Sequence, residues 1–113
     1  RIRPREFRTL GLAPKSDVVA VTAKIKKKIA ARGLTLEMAR RVIENWEYHR
    51  RSPSENRSVE RYARIDGKWY LAVVYVPSKS ETHPHNSLAT FHLEERRKMQ
   101  ARLESEKLHP RGK

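Results

Sequence analysis

Ile65-Asp66-Gly67-Lys68-Trp69-Tyr70-Leu71-Ala72-Val73-Val74-Tyr75-Val76 is the stretch that decides the fold. Asp-Gly flanked by strand formers predicts a two-residue hairpin turn, because a type I′ turn needs positive φ at both central positions. The run after it is apolar on both faces: Trp69, Leu71, Val73 and Tyr75 alternate with Tyr70, Ala72, Val74 and Val76. A strand without a polar face is covered on both sides, which predicts a central place in a sheet.

Working outward, residues 57–65 alternate as the partner strand, with Val59, Arg61, Ala63 and Ile65 on one face and Ser58, Glu60, Tyr62 and Arg64 on the other. Pro77 ends the central strand, and residues 78–85 form a polar loop. A last strand is expected over residues 86–93, with Leu88, Thr90 and His92 on one face and Ala89, Phe91 and Leu93 on the other. Residues 94–108 then read as a largely solvated helix with a thin Met99/Leu103 stripe and Glu94–Lys98 and Arg102–Glu106 pairs.

Before the sheet, Ser16 is read as the N-cap of a helix reaching Arg32, with Val18, Ile25 and Ile29 on its apolar side and Gly33 as the stop. Thr35 caps a second helix, in which Ala39, Val42, Ile43 and Trp46 fall at i, i+3, i+4 and i+7. Residues 47–52 fit either a helix tail or a short strand. The expected fold class is α+β: two N-terminal helices packed on a small antiparallel sheet of three to four strands, with a C-terminal helix. Residues 1–15 read as a basic linker or tail onto which Phe7, Leu10 and Leu12 could pack. Residues 16–108 form a single domain and residues 109–113 a disordered tail. The absence of a starting Met and the stretch Arg1-Ile2-Arg3-Pro4-Arg5 suggest arrival from a linker in a longer protein.

The chain has 113 residues and a net charge of +13, a field that attracts nucleic acid or an acidic protein. No apolar run approaches the ~20 residues needed to span a bilayer, so membrane insertion is not expected. With no cysteine there are no disulfides, thiolate nucleophiles or Cys-based zinc sites.

Lys24, Lys28 and Arg32 fall at successive i, i+4 steps and form a basic stripe on the first helix, with Lys27 beside it. A solvated face explains most such stripes, but Arg32 shares an angular sector with Val18, Ile25 and Ile29 and must reach past the core edge. Arg61 stands where an apolar residue belongs. It either snorkels to water from an edge strand or clamps a phosphate, as a guanidinium holds two phosphate oxygens at once. Thr90 and His92 share a strand face, offering a hydroxyl and an imidazole suited to proton transfer. Each is also an ordinary strand residue. His49, flanked by Tyr48, Arg50 and Arg51, fits a nucleic-acid-facing patch. His83-Pro84-His85 has no acidic partner nearby and makes a poor metal site, so neither metal nor cofactor is expected. Cations, imidazoles and hydroxyls without a phosphate loop or a paired carboxylate fit RNA cleavage without metal, in which the ribose 2′-OH attacks the adjacent phosphate.

The order of elements resembles the barnase/EndoU/colicin/RelE-like superfamily of ribonuclease toxins. One group in it has a first-helix pattern of His-Ala-x-x-Arg, three residues, then Arg-Gly, and a closing strand with Thr before an aromatic. Lys24-Ile25-Lys26-Lys27-Lys28 followed by Arg32-Gly33 occupies the first pattern and Ala89-Thr90-Phe91 the second. Lys24 stands where that group has His, which makes His92 and His49 candidates for the proton-moving group. The resemblance implies an endoribonuclease toxin domain cutting tRNA, rRNA or mRNA. It would be exported at the end of a larger bacterial protein, act in the cytoplasm of a target cell and be neutralised by an acidic immunity protein. On that expectation His92, Thr90, Arg61, Lys24, Arg32 and His49 act on the phosphate, and Lys27, Lys28, Arg50 and Arg51 bind RNA. The alternative is a basic nucleic-acid-binding or ribosome-associated module without catalysis.

Overall fold

The computed structural model describes residues 4–82 and 84–112, with side chains from Phe7 onward. Its hairpin forms as the Asp-Gly pair dictates: β3 (Ser58–Ile65) and β4 (Lys68–Tyr75) pair antiparallel along their whole length. Asp66 and Gly67 both take positive φ, +52° and +79°.

The sheet is larger than expected, and it is mixed. Residues 48–51, ambiguous in sequence, are a strand, β2 (Tyr48–Arg51), on the outer side of β3. The last long strand, β5 (Asn86–Leu93), pairs antiparallel with β4. Two-residue strands close both edges: β1 (Val19–Ala20) runs parallel to the start of β5, and β6 (His109–Pro110) pairs with β2. The order is β1-β5-β4-β3-β2-β6, which seats β4 inside as its composition requires.

Four helices cover this sheet. α1 (Pro4–Thr9), α2 (Ala23–Ala31) and α3 (Leu36–Glu44) lie on one face, where Phe7, Ile29, Val42 and Ile43 meet Val59, Ala63, Ala72, Val74 and Phe91. α4 (Arg96–Glu104) lies on the other, bringing Met99 and Leu103 against Tyr62, Leu71 and Val73. The two faces of β4 thus go to two separate clusters.

Several expectations give way here. The first fifteen residues are not merely a linker, since they hold α1 and bury Phe7, Leu10 and Leu12. The first long helix begins at the cap Thr22, whose hydroxyl accepts from the Ile25 N–H, rather than at Ser16. β-Branched Val18, Val19 and Val21 prefer extended backbone, and this stretch supplies β1. α3 does start at Thr35 but stops at Glu44, leaving Trp46 to turn into the core. α4 starts at Arg96, and Glu94, just before it, pairs with Arg102 at 2.8 Å instead of Lys98. Residues 109–110 are a strand where a frayed tail was expected. Arg111 ties them down by donating to the Glu44 and Trp46 carbonyls at 2.9 and 3.2 Å, the open end of α3.

β5 also departs from strict alternation. Val73 pairs with Thr90 but Val74 pairs with Leu88, so Ala89 is a bulge. Leu88 and Phe91 therefore share the α1–α3 face, while Thr90 and His92 face the α4 side with Val73 and Leu71.

Gly67 has nothing within 4 Å of where a Cβ would stand, so its importance is conformational alone. Gly67→Val is expected to lower stability in urea unfolding by roughly 1–2 kcal/mol, the cost of a side chain in the left-handed region. Asp66→Asn should leave it within about 0.5 kcal/mol, since Asn tolerates that region.

Candidate functional site

The α4 side of the sheet carries the polar chemistry. Reading across the strands by register, Arg50, Glu60, Val73 and Thr90 form one row, and Tyr48, Tyr62, Leu71 and His92 form the next. Strand spacing puts Glu60 and Thr90 about 10 Å apart across Val73. Arg32, the C-cap of α2, reaches round the edge and completes the first row. Its Nη1 donates to the Phe91 carbonyl at 3.0 Å and to Thr90 Oγ1 at 3.4 Å.

α4 covers the second row and reaches Val73 of the first; Val73 and Glu60 are buried, Arg50 and Thr90 are half-buried, and Arg32 is exposed. Glu60 Oε1 accepts from Arg50 Nε at 2.7 Å and from the Tyr62 hydroxyl at 2.5 Å. Glu60 Oε2 carries no hydrogen bond among the described residues. Burial would depress the Arg50 guanidinium, but its hydrogen bond to Glu60 and the neighbouring Tyr62 and Glu60 charges outweigh burial and hold it above its ordinary value. Burial pushes the Tyr62 hydroxyl far up, and the bond to Glu60 adds to the effect. Arg102, paired to Glu94, sits over the Tyr62 ring at 5.6 Å.

The residues expected to act together are only partly brought together. Arg32 meets Thr90, and His92 follows two residues along the same face. Lys24, Lys27 and Lys28 are exposed on α2, which packs against β5. Arg61 is not at this site. It is fully buried on the opposite face, where its Nη1 donates to the Ile43 carbonyl at 2.8 Å and its guanidinium lies 5.0 Å from the Phe7 ring and 5.2 Å from the Trp46 ring. A carbonyl left open at the end of α3, with two aromatic faces, lets a charge sit in the core. No phosphate reaches it there. His49 is likewise buried, stacked on Trp46 at 4.0 Å, on the Arg61 side of the sheet. Arg51 is turned away too, donating to the Leu10 and Gly11 carbonyls that end α1. The expected His83-Pro84-His85 loop falls partly on residue 83, outside the described residues; His85 contacts the Ser16 hydroxyl at 3.2 Å.

Glu60 is the residue that sequence reasoning missed. It stood on the polar face of a strand, where a carboxylate reads as solvated. Its partner Arg50 lies on a segment whose strand identity was open, so the pair left no local signature.

No family model matches the chain, and no curated protein or solved structure does. The site therefore rests on geometry. No helix among the described residues is long and apolar enough to cross a membrane. A separate apolar groove of about 250 Å³, lined by Val19, Val21, Leu36, Ile43 and Leu88, lies between α3 and the β1 edge, with only Glu37 and Arg40 as charged groups on its wall.

Tyr62 gives the site an alkaline signature. Its neutral form is favoured in the folded state, so its contribution is complete below the ordinary tyrosine value near 10.0 and is lost as pH rises above it. In ultraviolet titration one of the four tyrosines is expected to ionise only as the protein unfolds. Tyr62→Phe should remove that late step and flatten the loss of stability above pH 10.

Proposed function

We propose that the chain is an endoribonuclease that works without metal, with its site on the α4-side sheet face, reached from the Thr90 end, where Arg32 is exposed. The observation that carries this reading is the row Arg50–Glu60–Val73–Thr90–Arg32, with His92 on the adjacent row. A carboxylate and an imidazole flank an apolar floor, and a guanidinium stands at each end. A phosphodiester lying over Val73 would have Glu60 Oε2 on one side and Thr90 and His92 on the other.

In this reading Glu60 takes the proton of the ribose 2′-OH as that oxygen attacks phosphorus. His92 gives a proton to the departing 5′-oxygen, and the products are a 2′,3′-cyclic phosphate and a 5′-hydroxyl. Arg32 uses only Nη1 for the strand, leaving its remaining N–H groups for the phosphoryl oxygens. Lys24 and Lys28 extend the cationic approach along α2. Delivery as a toxin domain, and neutralisation by an acidic immunity protein, belong to the same proposal.

A second reading, an RNA-binding module without chemistry, is favoured by one observation. The Glu60 side chain is only 10% exposed and already tied to Arg50 and Tyr62. Cleavage separates the two.

Total RNA incubated with the protein in EDTA should give discrete fragments ending in cyclic phosphate. Glu60→Gln keeps the acceptor for Arg50 and Tyr62, yet together with His92→Gln should lower the rate by about 100-fold or more each. RNA affinity, followed by fluorescence polarisation, should change little. Intact RNA at wild-type concentrations that visibly bind it would leave the binding module standing.

A further inference from the structure

A cleft of about 580 Å³ opens at the far end of the same sheet, between the tip of the β3–β4 hairpin and the corner where β5 passes into α4. Arg64, Lys68 and Trp69 line the hairpin side, and Leu93, Glu95 and Arg96 line the corner. We propose that this cleft is a nucleotide subsite. It takes one base of a single-stranded nucleic acid against Trp69 and the Arg64 guanidinium, and the adjoining phosphate between Lys68 and Arg96. The proposal rests on the reading that the protein handles nucleic acid, but not on cleavage.

The size falls in the range of clefts that hold a small ligand. Trp69 supplies the aromatic surface on the cleft wall. Leu93 is 52% exposed and Trp69 is half-buried. Arg64 lies over the Trp69 ring at 5.0 Å, and Tyr48 is tilted against it at 6.0 Å. Arg64 is fixed there by Glu47, whose Oε1 accepts from Nη2 at 2.7 Å and from Nε at 3.2 Å. A guanidinium held on an indole is a ready platform, because bases stack on aromatic rings and on arginine planes alike. Its fixation also removes ordering entropy that binding would otherwise cost.

Lys68 and Arg96 outnumber Glu95, the one exposed carboxylate among the described residues of the wall. Lys68 and Arg96 are exposed and have no ion-pair partner among the described residues. Glu94, the nearest buried carboxylate, is neutralised by Arg102. Along β5, Leu93 at the cleft is about 10 Å from Thr90, three residues at strand rise. A bare anion site would not need Trp69, and an acidic peptide would need no stacking platform.

Adenosine monophosphate, which has no phosphodiester to cut, is the probe. Titrated into the full chain, it should quench tryptophan emission saturably, and ribose 5-phosphate and inorganic phosphate should bind at least about tenfold more weakly. By calorimetry, Trp69→Leu should weaken adenosine monophosphate about tenfold with the far-ultraviolet spectrum unchanged. The pair Lys68→Gln and Arg96→Gln should weaken it and flatten its salt dependence; this exposed pair serves also if Trp69→Leu does not fold. Equal affinity for phosphate and nucleotide, no saturable binding, or indifference to both sets of variants would overturn the subsite. Glu60→Gln should leave this binding intact. RNA still cut by a protein that does not bind the nucleotide defeats the subsite alone, whereas nucleotide bound without any cutting defeats the nuclease reading alone.

Discussion

A strand that is apolar on both faces has to be covered twice, and β4 imposes that condition on everything around it. Tyr70, Ala72 and Val74 go to the cluster under α1, α2 and α3, while Leu71 and Val73 go to the cluster under α4. Three helices suffice to close the first face. One helix with a thin apolar stripe closes only part of the second, where Met99 is its buried residue. On that face Glu60 is buried against Arg50 and Tyr62, and the sheet opens to solvent from half-buried Thr90 toward exposed Arg32. The site is thus a consequence of unequal cover, and its walls are set by where α4 ends.

Two arginines of one strand show how the same side chain serves different purposes on opposite faces. Arg61 points into the crowded face and is held by a helix-end carbonyl and two aromatic rings. Arg64 points the other way and stays exposed, stacked on Trp69 and tied to Glu47. A buried guanidinium is tolerable only where hydrogen bonds and ring faces replace water. The odd spacing of three between Arg61 and Arg64 sends the two side chains to opposite faces of the strand.

What could be read from the chain was what is local. The Asp66-Gly67 turn, the double-faced strand, the Thr35 cap and the α3 stripe all express period and capping over a few residues, and each stands in the structure. What could not be read depends on distant partners. β1 and β6 are two residues long and exist only because β5 and β2 lie beside them. The bulge at Ala89 breaks the alternation of β5 without any Gly or Pro to mark it. Phe7, Leu10 and Leu12 looked like ornaments on a linker because their burial is decided by strands fifty residues later. The same limit governed the site: Arg32 and Thr90, matched at the level of short motifs, do meet. Glu60 went unseen, and Arg61 and His49 were expected at the site although the helices of the α1–α3 side bury them, because which face of a sheet is covered is decided by long-range packing.

The parallel pairing of Val19 with Asn86 has a kinetic side. Together with Arg51 on the Leu10 and Gly11 carbonyls, it binds the beginning of the chain to elements made much later. Contacts of such sequence separation demand costly loop closure before they reward it, so they form late. A nascent chain would assemble its central hairpin first and hold its leading segment undocked until β5 had emerged. The growing polypeptide would thus spend most of its synthesis with one sheet edge unsealed, a natural moment for a chaperone or a masking partner to engage it.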